Sequence, residues 1–308
     1  MADQFGAIYP PDTDARDTLV AAHAATVRAL VTAGAPGDDA GLMDALPHLG
    51  AIVSLGDGYE LIDVRAAQHR DIGVSNTAPE ELRASVADTA VGLALNTVRR
   101  FNAAERYVRA NHGYDYDSEF MHTRDLTAAA VGILGMGGIG TRIARRLAAF
   151  DCDIAYHNRH PIPHCPCRYV HSVVSLARSV DVLVVATAGG PDNRHLVGRE
   201  ELTALGPHGY LINIARGDVI DQDALIDLCS SGGLAGAGLD VFVGEPTLPD
   251  ALFTLDNVTV TPHIGGGTDR STAAMHACLI ANLRDYLDSG KLDTPVLPPG
   301  KRRHAPSS

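Results

Sequence analysis

Three residues at the ends of three apolar stretches carry side chains suited to anion binding and proton transfer. The stretch "LINIAR" ends on Arg216, "GAGLDVF" leads to Glu245, and "VTVTPH" ends on His263. A guanidinium fork matches a carboxylate in bidentate fashion. An imidazole titrates near neutrality and can pass a proton, and a neighbouring carboxylate orients it and favours its charged form. Taken singly, each has an ordinary reading: Arg216 as an ion partner of Asp218, Glu245 as an exposed turn residue before Pro246, His263 as a strand cap. Ligands of open α/β sheets bind beyond the carboxyl ends of the strands, so the three together at that edge point to chemistry.

A second signature lies upstream. In "VGILGMGGIG", Gly135, Gly137 and Gly140 fit G-x-G-x-x-G between an apolar strand and an amphipathic helix. The first glycine permits a tight turn, the second lets backbone approach a pyrophosphate, and the third lets helix and strand pack closely. The free N–H groups of the helix start then face the phosphates. The whole turn (Gly135, Met136, Gly137, Gly138, Ile139, Gly140) is therefore the candidate dinucleotide cradle. About 20 residues on, such turns usually have an acid that holds the adenosine ribose. Asn158, Arg159 and His160 stand there instead. A carboxylate would repel a 2′-phosphate, whereas Arg159 can pair with one and Asn158 can donate to it. The expected cofactor is NADPH ahead of NADH, with NADH still usable; the competing reading is Arg159 stacked on the adenine of an NAD enzyme.

The elements that must position these residues alternate. Helix-like "DTLVAAHAATV", "AGLMDALPHL" and "LIDVRAAQHR" are interleaved with strand-like "RALVTAGA", "AIVSLG" and "IGVSN". A long helical stretch is expected from about Glu80 to about Asn111. From Ala130 the alternation restarts more strongly and runs to a last helix near Thr272–Leu287. Strands alternating with helices imply a parallel sheet with crossover helices. The tail "PPGKRRHAPSS" is polar and basic, and is expected to be disordered.

The 308 residues allow two domains, and a net charge of -12 argues against nucleic acid as a partner. The N-terminus shows no signal-peptide pattern, and "DVLVVATAGG" is too short to span a membrane. Five scattered cysteines suit a reduced cytoplasmic compartment. The cluster "HPIPHCPCRYVH", with His160, His164, Cys165, Cys167 and His171, lacks zinc-site spacing, so no metal is expected.

With these motifs in order and spacing, the chain resembles the D-isomer-specific 2-hydroxyacid dehydrogenase family. "VGILGMGGIG", "LINIARGDVIDQDAL", "GAGLDVFVGEP" and "NVTVTPHIGGGT" carry the likeness, with "SLGDGYELIDVRAAQHRDIGVSNT" and "VADTAVGLALNTVRR" before them. The resemblance covers roughly residues 20 to 296, within the branch of glyoxylate and hydroxypyruvate reductases. It implies an α/β fold of two domains, a doubly wound Rossmann sheet (99–286) inserted into a flavodoxin-like substrate domain (1–98 and 287–308). It implies that Arg216 binds a 2-oxo acid, that His263 donates the proton and that Glu245 holds His263. The loop Leu55, Gly56, Asp57 and Gly58 would take the substrate carboxylate on its backbone amides. Asp240 would meet the nicotinamide carboxamide, Thr187 would lie near the adenosine, Ile214 and Ala215 would lie near the nicotinamide riboside, and His263 and Gly265 would also belong to the cofactor site. It also implies a homodimer, and a cleft with hinges near Arg99 and Tyr286.

The chain departs from the family pattern in two places. Only "MADQFGAIYPP" stands where a first strand is usual, so either that strand is missing or Phe5 to Tyr9 supplies a short one. Asp57 replaces a small apolar residue, and its carboxylate would repel a bound carboxylate unless it faces solvent, which is the favoured reading. The competing function is a dinucleotide-sensing binding protein, like the corepressors built on this fold.

Overall fold

The structure is a computed structural model that describes residues 2–9, 15–33 and 40–297. The chain forms two compact units, Met1–Leu82 with Asp269–Ser308, and Arg83–Thr268. It is an α/β fold with the second unit inserted into the first. The C-terminal tail, from Pro298 on, lies outside the described residues.

The first unit opens with helices α1 (Ala2–Phe5) and α2 (Arg16–His23) and strand β1 (Ala29–Thr32). It continues through α3 (Ala40–Ala45), β2 (Ala51–Ser54), α4 (Val64–His69) and β3 (Gly73–Asn76). Phe5–Tyr9 adds no strand: Phe5 ends α1, and the sheet starts at β1. Asp63 caps α4 by accepting from Ala66 N–H at 2.8 Å. Strand alternation sends Ile52 and Val74 into one apolar cluster with Met43, Ala66 and Ala67 of α3 and α4. Ala51 and Val53 point to the opposite cluster, with Leu279 and Leu283 of the last long helix.

The helical stretch after β3 is two helices, α5 (Glu80–Arg99) and α6 (Phe101–Asn111). Arg100, at φ +54, sits in the left-handed region between them and breaks the single helix expected from spacing. Ala87, Ala90, Leu93, Ala94 and Val98 of α5 are buried in the core of the second unit. That burial places the unit boundary at Leu82/Arg83 rather than at 98/99, the boundary expected from sequence.

The second unit then alternates β4 (Ala130–Leu134), α7 (Gly138–Leu147), β5 (Asp153–His157), β6 (Arg168–Tyr169), α8 (Val173–Arg178) and β7 (Val182–Val185). It closes with α9 (Arg199–Leu205), β8 (Tyr210–Asn213), α10 (Gln222–Ser231), β9 (Gly236–Leu239), α11 (Asp250–Phe253) and β10 (Val258–Val260). The short β6 lies within the histidine and cysteine cluster, between Cys167 and His171, and was not foreseen from the sequence. Among the described residues no group of three or more metal-ligating side chains gathers. The parallel sheet has the order β10-β9-β8-β7-β4-β5-β6, so strand order reverses between β4 and β7. Leu183 and Val185 pack on one face, and Val182 and Val184 on the other. Helices on both faces explain why these strands read as unbroken apolar runs. The chain returns to the first unit through α12 (Asp269–Ser289), which starts at the second boundary, ahead of the expected 286/287. Strand β11 (Pro295–Leu297) then pairs antiparallel with β3.

Cys229 of α10 is 4% exposed, and burial pushes its thiol up to about 12 from 9.0. The folded protein should therefore leave Cys229 unlabelled by iodoacetamide at about pH 8.5, as mass spectrometry after a short pulse would show. Its contribution to stability is present below the unfolded thiol value of 9.0 and is lost as pH rises toward about 12, because the unfolded thiol ionises first.

Candidate active site

The register of the large sheet gathers the predicted residues. Leu134 pairs with His157 and Val185, Val185 with Asn213, and Asn213 with Leu239. The residues that follow these partners, from Gly135 to Asp240, therefore leave along one sheet edge, at the switch point where α/β sheets bind ligands.

The glycine turn fits a dinucleotide at each of its three glycines. Gly135 has φ +100, and a Cβ there would lie 2.6 Å from Thr187 N. A Cβ on Gly140 would lie 2.1 Å from Gly135 O, so only glycine lets α7 pack this closely. Gly137 meets nothing within 4 Å, which leaves open space where a pyrophosphate would approach. Gly137 also offers no capping side chain, so the first-turn N–H groups of Gly138, Ile139 and Gly140 remain for an anion. Met136 turns its side chain into the core and gives its N–H to Asn158 Oδ1 at 2.7 Å. Asn158 is thus tied to the turn by its oxygen, which leaves its Nδ2 as a donor. Tyr169 O–H donates to Asn158 O at 3.1 Å and steadies the segment. Arg159 and His160 are exposed, and among the described residues Arg159 has no recorded hydrogen-bond or ion-pair partner.

The three chemical residues sit on interlocked loops. Glu245 Oε1 accepts from Phe242 N–H at 2.7 Å, and Oε2 lies 2.7 Å from His263 Nδ1. Because Glu245 accepts at both oxygens, Nδ1 carries the hydrogen of that contact and Nε2 is left for a substrate. His263 itself has φ +54, a left-handed backbone that bulky residues rarely adopt and that clusters at functional positions. Thr261 O–H, Ile264 N–H and Gly265 N–H all donate to the carboxylate of Asp240, which is 2% exposed. Asp240 therefore ties the His263 segment to the end of β9. Arg216 follows Asn213, whose Oδ1 accepts from Ala215 N–H and whose Nδ2 donates to Arg216 O, both at 3.0 Å. Ile214 and Ala215 bury their side chains, so any ligand would meet their backbone.

Sequence reasoning missed several supporting residues. Gly217 packs so tightly that a Cβ would lie 1.9 Å from Phe242 C, locking the Arg216 turn against the Phe242–Glu245 loop. Gln222 Oε1 accepts from Val243 N–H at 2.9 Å and holds the same loop. Ser85 O–H donates to Gly265 O at 2.7 Å. The one available signal was Asn213, a polar residue closing an otherwise apolar strand.

The first unit holds its own predicted loop. Ser54 O–H donates to Gly58 O at 2.6 Å, Asn76 Nδ2 to Asp57 O at 2.7 Å, and Gly56 N–H to Thr77 Oγ1 at 2.7 Å. Two carbonyls are thereby fixed, and the N–H groups of Asp57 and Gly58 have no recorded acceptor among the described residues. Asp57 is exposed.

Residues 91–265 match the D-isomer specific 2-hydroxyacid dehydrogenase NAD binding domain. The chain is 40% identical to hydroxyphenylpyruvate reductase of Plectranthus scutellarioides, over 92% of this chain and 90% of that protein. It is equally 40% identical to glyoxylate/hydroxypyruvate reductase A of Arabidopsis thaliana, over 92% and 89%. Among solved structures it is similar to the NADPH-dependent glyoxylate/hydroxypyruvate reductase of Sinorhizobium meliloti in complex with NADP and malonate. That likeness has a TM-score of 0.81 and 37% identity, and covers 92% of this chain and 86% of that one. A 2-hydroxyacid dehydrogenase from Ketogulonicigenium vulgare gives a TM-score of 0.84 at 37% identity, over 94% and 91%.

The Gly217 contact generates a prediction. Gly217→Ala should force the Arg216 and Glu245 loops apart and cut kcat/KM by about a hundredfold, the scale of an ångström-level misplacement. Dinucleotide affinity, measured by fluorescence titration, should change less than about threefold, because the glycine turn is untouched. A variant of normal turnover would show that the two loops need no fixed spacing.

Proposed function

This chain belongs to the D-isomer specific 2-hydroxyacid dehydrogenase family, and we propose that it reduces a small 2-oxo acid to the D-2-hydroxy acid with NADPH. It is an oxidoreductase with a nicotinamide dinucleotide cofactor. The observation that carries the finer reading is the Glu245–His263 pair at the same sheet edge as the glycine turn. Arg216 holds the carboxylate and carbonyl of the substrate in its fork. His263 gives the proton at Nε2 to the carbonyl oxygen, and Glu245 keeps the ring oriented through its contact with Nδ1. When bound, the nicotinamide supplies the hydride to the carbonyl carbon. Within the first unit, the N–H groups of Asp57 and Gly58 can hold a carboxylate, with the Asp57 side chain exposed.

Glyoxylate and hydroxypyruvate are the first substrate candidates, supported by the reductases of Arabidopsis and Sinorhizobium to which the chain is similar. The NADPH preference rests on Asn158 and on Arg159, which is exposed and has no recorded partner among the described residues, together with the NADPH dependence of the Sinorhizobium enzyme. The proposal includes a homodimer in the cytoplasm. Among the described residues no helix is long and apolar enough to cross a membrane.

Two experiments test this reading. Reduced-cofactor absorbance followed with a panel of 2-oxo acids should fall with the unmutated chain, and His263→Ala should lower kcat by about 10²–10⁴, the usual scale of general acid catalysis. Tight cofactor binding without turnover on any substrate would instead mark a dinucleotide-sensing protein. NADPH should be preferred over NADH by at least about tenfold in kcat/KM, or about 1.4 kcal/mol. Arg159→Ala should erase most of that margin, and better use of NADH by the unmutated chain would sink the NADPH assignment.

A further inference from the structure

Arg142 and Arg83 lie against the first turn of α7, and Arg146 lies in its last turn. Arg142 Nη1 donates to Gly138 O. Arg146 pairs with Asp88 at 2.6 Å and donates to Ala84 O. Arg83, near the start of α5, has no recorded hydrogen-bond or ion-pair partner among the described residues. Its Cδ and Nε lie only 3.0 and 3.2 Å from where a Cβ on Gly138 would stand. Gly138 occupies an unspecified position of the glycine motif, and its φ is not in the left-handed region. Its lack of a side chain thus serves no turn; it lets Arg83 lie against the helix start.

That placement is electrostatically unfavourable by itself. A helix N-terminus carries a partial positive charge, and a guanidinium laid beside it is repelled. The nearby carboxylate of Asp88 is already taken by Arg146. The arrangement becomes favourable when an anion sits between the free N–H groups of Gly138, Ile139 and Gly140 and the Arg83 fork. We propose that Arg83 is a pyrophosphate-binding residue of the cofactor site, delivered from α5 across the space that Gly138 leaves open. The assignment rests on the dinucleotide reading above. It extends that site beyond the glycine turn to a helix outside the motif.

Binding of cofactor fragments to the full chain, measured by isothermal titration, tests this without turnover. The probes are 2′-phospho-ADP-ribose, which carries the pyrophosphate, and adenosine 2′-monophosphate, which lacks it. Arg83→Ala, and Arg83→Met with its apolar stem kept, should weaken the first probe about tenfold and leave the second within about twofold. Gly138→Ala, whose Cβ requires Arg83 to give by a few tenths of an ångström, should weaken the first probe by less than the Arg83 variants, and should add little in the Arg83→Ala background. The affinity of the unmutated chain for the first probe should also fall more steeply with salt than that of Arg83→Met. Normal binding of both probes by the Arg83 variants, or equal weakening of both, overturns the assignment alone. Failure of the unmutated chain to bind either probe overturns the dinucleotide reading with it.

Discussion

The cofactor end of the second unit depends on the close backbone approach of α7 to β4. The hypothetical Cβ contacts at Gly140 and Gly135, 2.1 and 2.6 Å, leave no room for a side chain at either residue. This contact sets where α7 begins and hence where its unpaired N–H groups point. Because β4 sits between β5 and β7 in the sheet, fixing α7 on β4 also fixes it relative to Asn158 on one side and Thr187 on the other. The other ligand-facing residues then follow from parallel register.

A shared edge is not enough for proton transfer, since strand ends normally open into mobile loops. Here the loops are braced by buried polar groups and backbone packing. Asn213 closes the Arg216 turn, Asp240 collects three donors from the His263 segment, and Gly217 brings the two loops into backbone contact. Asn213 and Asp240 are both hydrogen-bonded, so the bracing costs little desolvation without return. Rigidity of this kind lets a partly exposed Glu245–His263 pair hold a defined geometry where an isolated surface pair would be worth little.

Much of this was legible in the sequence. Apolar runs, the glycine spacing and polar residues at strand ends all report on local backbone physics, which one chain carries in full. The α/β architecture, the strand alternation and the placement of Arg216, Glu245 and His263 at one edge follow from that. What was not legible depended on contacts between distant segments. The break at Arg100 has no proline or glycine to mark it; a left-handed arginine is stabilised by its surroundings. The burial of α5 against the inserted unit moved the boundary, because an alanine-rich face does not reveal which core it will join. Gly217, Gln222 and Ser85 look unremarkable until their partners, well separated in sequence, are known.

The bond from Met136 N–H to Asn158 Oδ1 has a consequence for evolvability. The turn asks residue 158 only for an acceptor oxygen, which an amide and a carboxylate supply equally. Among the described residues, Arg159 has no recorded hydrogen-bond or ion-pair partner. On the cofactor assignment proposed above, lineages could therefore exchange one redox pool for another at two adjacent positions without disturbing the strand, the turn or the helix. The preference for phosphorylated or unphosphorylated cofactor is in this sense a detachable trait, written on a surface that the architecture leaves neutral.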